Sequence, residues 1–143
     1  MKAYKISCAD DDHGMVVMFA ERAKDLRGHR SRDSCDCEYI EIAVRRASDF
    51  DKYAPGPVTV EQYLCEGWFW MCQNCDVACF HDSSPIIIDD QLFCGRECLI
   101  RYIAGWEQAK SRGEHCIPPV DEILRPLIAY RDSHPEESPV PVA

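Results

Sequence analysis

The sequence predicts an α+β protein, and three observations carry that prediction: apolar alternation near the N-terminus, two cysteine pairs in the middle, and helical apolar stripes after them. A chain of 143 residues has the size of one domain, or of one domain with a small appendage. Hydrophobic residues at 46% and charged residues at 29% are ordinary globular usage, so most of the chain can bury a core. Tyr4, Ile6 and Cys8 alternate with Lys5 and Ser7, the period of a half-buried strand, and Asp10-Asp11-Asp12-His13-Gly14 supplies a turn. That acidic turn lacks the spaced ligands of a calcium loop and reads as solvated. Met15 to Phe19 forms the second strand, after which Ala20, Ala23 and Leu26 recur at helical spacing up to Gly28. Ile40, Ile42 and Val44 alternate with Glu41, Ala43 and Arg45 as a third strand. Residues 1–57 therefore read as a small β-β-α-β unit with one helix over one sheet face, closed by Pro55-Gly56-Pro57.

Residues 58–131 form the second segment. Thr59 and Gln62 have capping-box spacing, so a short helix carrying Val60, Tyr63 and Leu64 starts there and stops near Gly67. It delivers Trp68-Phe69-Trp70 to the first cysteine pair. Pro85 to Phe93 reads as strand, turn, strand around Asp89-Asp90. Leu99, Tyr102, Ile103, Trp106 and Ala109 make a helical stripe that ends with a basic turn and a glycine, Arg112-Gly113. Val120, Ile123, Leu124, Leu127 and Ile128 form another stripe behind Pro118-Pro119, with a kink expected at Pro126. Residues 132–143 carry Pro135, Pro139, Pro141 and frequent acids without large hydrophobes, and are expected to be a disordered tail.

Ten cysteines are the compositional outlier. The opening Met1 to Ile6 lacks the roughly 7–15-residue apolar region of an export signal, and no apolar run approaches the roughly 20 residues of a membrane span. A cytoplasmic chain follows, in which clustered thiols bind metal rather than form disulfides. Cys72-Gln73-Asn74-Cys75 is separated by eighteen residues from Cys94-Gly95-Arg96-Glu97-Cys98. Four thiolates suit a closed tetrahedral Zn2+ site, and a second pair that opens a helix gains from the amides and dipole of its N-terminus. Cys79 and His81 stand just after the first pair and are alternative ligands. A closed shell leaves no open position for catalysis, so Cys72, Cys75, Cys94 and Cys98 predict a structural metal and no enzyme. Cys35-Asp36-Cys37, with His29 nearby, fixes at most two ligands of a second metal. Cys65, His115 and Cys116 have no readable partners.

Phe93-Cys94-Gly95-Arg96-Glu97-Cys98, after a C-x2-C knuckle and a hairpin, resembles the treble-clef zinc fingers of the MYND and TRASH type. Gly95 stands where those fingers commonly have serine, and the second interleaved ligand set of the MYND type is missing. The resemblance covers Cys72 to about Tyr102. Gly67-Trp68-Phe69-Trp70-Met71-Cys72-Gln73-Asn74-Cys75 after a small α+β start is also similar to short proteins of tailed phages and prophages. That similarity implies a host-facing accessory role, such as modulation of a defence or nucleic-acid enzyme.

Charge narrows the partner. The net charge is −9, with ten basic and eleven acidic residues through Pro57 but six against fourteen after it. An acidic metal-binding half opposes contact with phosphate backbones and favours a protein partner. Arg22, Lys24, Arg27, Arg30 and Arg32 read as a solvated face, the alternative being a nucleic-acid binder that stacks bases on Trp68, Phe69 and Trp70. A second alternative is a metal-dependent nuclease built on His81 and Asp82. The sequence leaves the oligomeric state open.

Overall fold

The computed structural model describes residues 1–8, 15–26, 42–115 and 117–135. The chain is α+β and divides into two compact units, Met1–Gln62 and Tyr63–Ala143.

In the first unit, β1 (Lys2–Cys8) lies between β2 (Met15–Ala20) and β3 (Ile42–Arg46), antiparallel to both. Register follows the alternation of side chains. Tyr4 faces Met18, and Ile6 faces Val16 on one side and Val44 on the other. Tyr4, Ile6, Ile42 and Leu26 are buried together, with Val16, Met18, Ala23 and Val44 packed against them. Residues 24–26 are helical and bring Leu26 onto this face, as the stripe ending at Leu26 predicts. The rest of the segment predicted to be helical, up to Gly28, lies outside the described residues, as do Ile40, the predicted turn at Asp10 to Gly14, Cys35, Cys37 and His29. So does the side chain of Cys8.

The opposite sheet face buries Ala3 and Val17, and a 3-10 turn over Ser48–Tyr53 buries Phe50. Asp51 on that turn accepts from the Ala3 amide at 2.8 Å and from Arg46 Nη1 at 2.7 Å, while Arg46 Nη1 also donates to the Ala3 carbonyl at 2.8 Å. The Arg46 guanidinium and the Ala3 amide together hold the Asp51 carboxyl at about 2, below its ordinary 3.8. The unfolded chain therefore takes up this proton before the folded one does. The contribution of the clasp is complete above pH 3.8 and disappears as pH falls through about 2. Side chains this exposed are screened by solvent, so the effect is small. Asp51→Asn is expected to flatten the acid limb of the stability curve between those values; an unchanged limb in acid titrations followed by circular dichroism would show that the clasp contributes nothing.

The helix α1 (Val60–Cys65) spans the boundary between the units. Its capping box is formed: the Thr59 amide donates to Gln62 Oε1 at 2.9 Å, and the Gln62 amide donates to Thr59 Oγ1 at 3.3 Å. It ends in a Schellman motif. The amides of Gly67 and Trp68 donate to the carbonyls of Leu64 and Tyr63, with Gly67 at φ +79°, where a side chain would be strained. Trp68 then packs on Tyr63 with ring centres 5.2 Å apart.

In the second unit, β4 (Trp70–Met71) and β5 (Ala78–Cys79) make one small hairpin, and β6 (Ile86–Ile88) and β7 (Gln91–Phe93) another. Asp89 and Asp90, at φ 46° and 60°, form the left-handed two-residue turn that suits the right-handed twist of paired strands. Two helices follow, α2 (Arg96–Ser111) and α3 (Val120–Ser133). Leu99 and Ile103 of α2, Val120, Leu124 and Leu127 of α3, and Ile88 and Phe93 of the hairpin form one buried cluster. The predicted stripes thus face each other. Gly113 ends α2 as expected, in the same motif as Gly67.

The expected start of the tail needs correction. Pro126 lies inside α3, and the helix runs through Asp132 and Ser133, the first residues of the segment expected to be disordered. Arg96 explains the extension: its guanidinium donates to the carbonyls of Arg131 and His134, occupying acceptors that a helix end leaves unpaired. The His134 ring also stacks on Tyr130 at 4.1 Å. Residues 136–143 lie outside the described residues.

Candidate metal centre

The C-x2-C turn folds back on itself immediately after β4. The Cys72 amide donates to the Val77 carbonyl at 2.9 Å and the Asp76 amide to the Cys72 carbonyl at 3.1 Å, which turns Cys72 and Cys75 to the same side. The Gln73 amide donates to the Leu92 carbonyl at 2.9 Å, joining this knuckle to β7. The chain leaves β7 at Phe93 and places Cys94 just before α2 and Cys98 within its first turn. Tertiary pairing between the two hairpins thus brings together sulfurs that are far apart in sequence.

The Sγ atoms of Cys72, Cys75, Cys94 and Cys98 all lie within 4.8 Å of one another. Cys75 and Cys94 are 3.7 Å apart, and Cys94 and Cys98 are 3.4 Å apart. Zinc binds thiolate at about 2.3 Å, and a tetrahedron of that size has sulfur-sulfur edges of about 3.8 Å. The donor set and its spacing therefore fit zinc. Cys72 is fully buried, Cys98 half-buried, and Cys75 and Cys94 are exposed.

The surroundings favour sulfur charge unevenly. Burial pushes the Cys72 thiol up, but the amides of Cys94, Asn74 and Cys75 and the neighbouring Cys75 thiol outweigh it, leaving the group at about 6. The Cys94 amide reaches Cys72 Sγ at 3.4 Å. Cys94 is pushed well up, first because its thiol donates to Cys98 and then by burial. Cys75 also rises: the Val77 amide pulls it down, but the Cys72 sulfur, burial and the Cys98 sulfur prevail. Asn74 Nδ2 donates to Cys98 Sγ at 3.6 Å. The surroundings thus favour the thiolate most at Cys72, and because a metal binds thiolate, acid competes with the ion.

The alternative ligands fall elsewhere. Cys79 is buried, its thiol donates to the Val77 carbonyl at 3.6 Å, and it is not one of the four clustered residues. Burial, followed by the negative sulfurs of Cys72, Cys75 and Cys98, raises its thiol. His81 and Asp82 are exposed on a one-turn 3-10 segment, His81–Ser83. Among the described residues, no other group of three or more His, Cys, Asp or Glu gathers closely enough to hold an ion. Cys65 and His115 are exposed, and Cys116 lies outside the described residues.

Sequence reasoning missed three participants. Asn74 contributes a side-chain donor, Gln73 contributes an amide that links the hairpins, and Arg96, between the second pair of cysteines, ties the metal loop to the end of α3. Only their position inside the two cysteine motifs signalled them. The aromatic run divides: Trp70 stacks on Tyr63 at 5.1 Å, whereas Phe69 is exposed and meets only Phe80 among the aromatic contacts of this hairpin, at 5.9 Å.

No family model matches the sequence, and no curated protein or solved structure matches it. Among the described residues, no helix is long and apolar enough to cross a membrane.

Proposed function

We propose that the chain is a non-enzymatic, zinc-stabilised protein-binding module, with the second unit a treble-clef-like finger whose ligands are Cys72, Cys75, Cys94 and Cys98. The observation that carries this reading is the convergence of four sulfurs on one point, which supplies a complete tetrahedral shell and leaves no protein-made vacancy for a substrate. When bound, the ion supplies charge neutralisation and a crosslink. The residues around it hold two hairpins and a helix in fixed relation. The similarity to phage and prophage proteins extends the proposal to an accessory protein that acts on a host defence or nucleic-acid enzyme in the cytoplasm.

Zinc-loaded chain, used as bait in a nuclease-treated bacterial lysate, is expected to retain a protein at fixed stoichiometry and to release it on chelation. Retention of nucleic acid instead, or divalent-dependent cleavage of DNA or RNA that His81→Ala abolishes, would replace this reading with one of its two alternatives.

A further inference from the structure

The β4–β5 hairpin has two unlike faces. Trp70 pairs with Cys79 across the ladder, and these residues face inward with Cys72, which is buried with Cys79. Phe69 and Met71 alternate with them and lie on the other side, where Met71 pairs with Ala78 and the Phe69 ring meets Phe80. This outer face is exposed: Phe69 by 52%, Met71 by 43% and Phe80 by 48%. Two phenyl rings and a methionine on one exposed face of a short hairpin form a patch rather than scattered surface residues. Aromatic and methionine side chains are also those enriched at protein interfaces.

Charge identifies what covers the patch. From Tyr63 to Gly95 there is no lysine or arginine, while Glu66, Asp76, Asp82, Asp89 and Asp90 supply five carboxylates. Asp76 adjoins Val77 and Asp82 follows closely on Phe80, and both are exposed. A tetrathiolate zinc adds a formal charge of about −2. This potential repels phosphate, whether on nucleic acid or on lipid headgroups, and removes the cationic groove that base stacking on Phe69 needs. It attracts lysine and arginine.

We infer that the outer face of the β4–β5 hairpin docks a basic, apolar segment of a partner protein, one that places aromatic or aliphatic side chains against Phe69, Met71 and Phe80 and its cations beside Asp76 and Asp82. This rests on the protein-binding reading and specifies its surface and its ligand chemistry. Apolar contacts supply the affinity, and the complementary charge sets selectivity and encounter rate.

The test uses the zinc-loaded full chain and four labelled peptides of equal length: alternating Lys/Phe, Lys/Ser, Gln/Phe and Glu/Phe. The Lys/Phe peptide is expected to bind about tenfold or more tighter than each of the others, and to weaken as salt rises. The double variant F69S/F80S, checked for unchanged zinc content, should lose about tenfold in that affinity. Asp82→Lys leaves the apolar face in place and should weaken Lys/Phe binding while sparing Gln/Phe. Preference for Gln/Phe or Glu/Phe, indifference to F69S/F80S, or tighter binding to anionic vesicles or oligonucleotides would overturn the inference and leave the protein-binding reading standing. A dimer that F69S/F80S dissociates would overturn it too, since a second copy would then cover the face. No binding of any peptide, together with no protein retained from lysate, would remove the protein-binding reading itself.

Discussion

Cys72→Ser is expected to abolish stoichiometric zinc binding and to unfold the segment from β4 up to residue 87, while α2 and α3 remain paired. The asymmetry follows from where apolar side chains are buried. Between residues 66 and 87 only Cys72 and Cys79 are buried, so the knuckle has no core beyond its sulfurs. The helix pair has Leu99, Ile103, Val120, Leu124 and Leu127 packed together. Structural zinc in small fingers supplies apparent binding energies of about 10–16 kcal/mol, which is why such segments unfold when the ion is removed. Cys72 is the sensitive position because it combines full burial with the lowered thiol that three amides stabilise. Metal analysis of the parent chain should return about one zinc per chain, and hydrogen exchange on Cys72→Ser should show protection lost over residues 70–87 and kept near Leu127. A variant that still binds zinc at that ratio would mean the ligand set is different. Titration with a chelator should reproduce the same exchange pattern in the unmodified chain.

Phe93→Ala is expected to destabilise the second unit by about 3–5 kcal/mol, the range for truncating a fully buried phenylalanine. Phe93 has no exposure, packs edge-on to Tyr102 at 5.2 Å, and joins the hairpin to both helices in one cluster. It also precedes Cys94, so the cavity left by its ring lies where the second ligand pair is anchored. Zinc affinity should fall with stability, although every ligand is retained. Phe93→Leu, which keeps most of the apolar volume, should recover much of both. Denaturant midpoints measured with and without added zinc would separate the two effects. A loss below about 1 kcal/mol in Phe93→Ala would show that this ring does not join metal loop and core as its contacts indicate.

What the sequence by itself determined is what local chemistry encodes. Alternation at Tyr4 and Ile6, the stripes of α2 and α3, the reciprocal Thr59 and Gln62 hydrogen bonds and the glycine stops at Gly67 and Gly113 each depend on residues within one or two turns. The pairing of cysteines at x2 and x3 spacing is of the same kind. Tertiary structure alone decided the rest. Spacing favoured Cys72, Cys75, Cys94 and Cys98 and left Cys79 and His81 as alternatives; the Gln73 to Leu92 link and the start of α2 at Arg96 bring the first four sulfurs together. The reach of Asp51 back to the Ala3 amide and the cap that Arg96 places on α3 are equally invisible to pattern, as is the stacking of Trp70 on Tyr63 beside an exposed Phe69. Periodicity records which residues share a face of one element, whereas a ligand set, a long-range cap or an open face depends on which distant elements come to lie against each other.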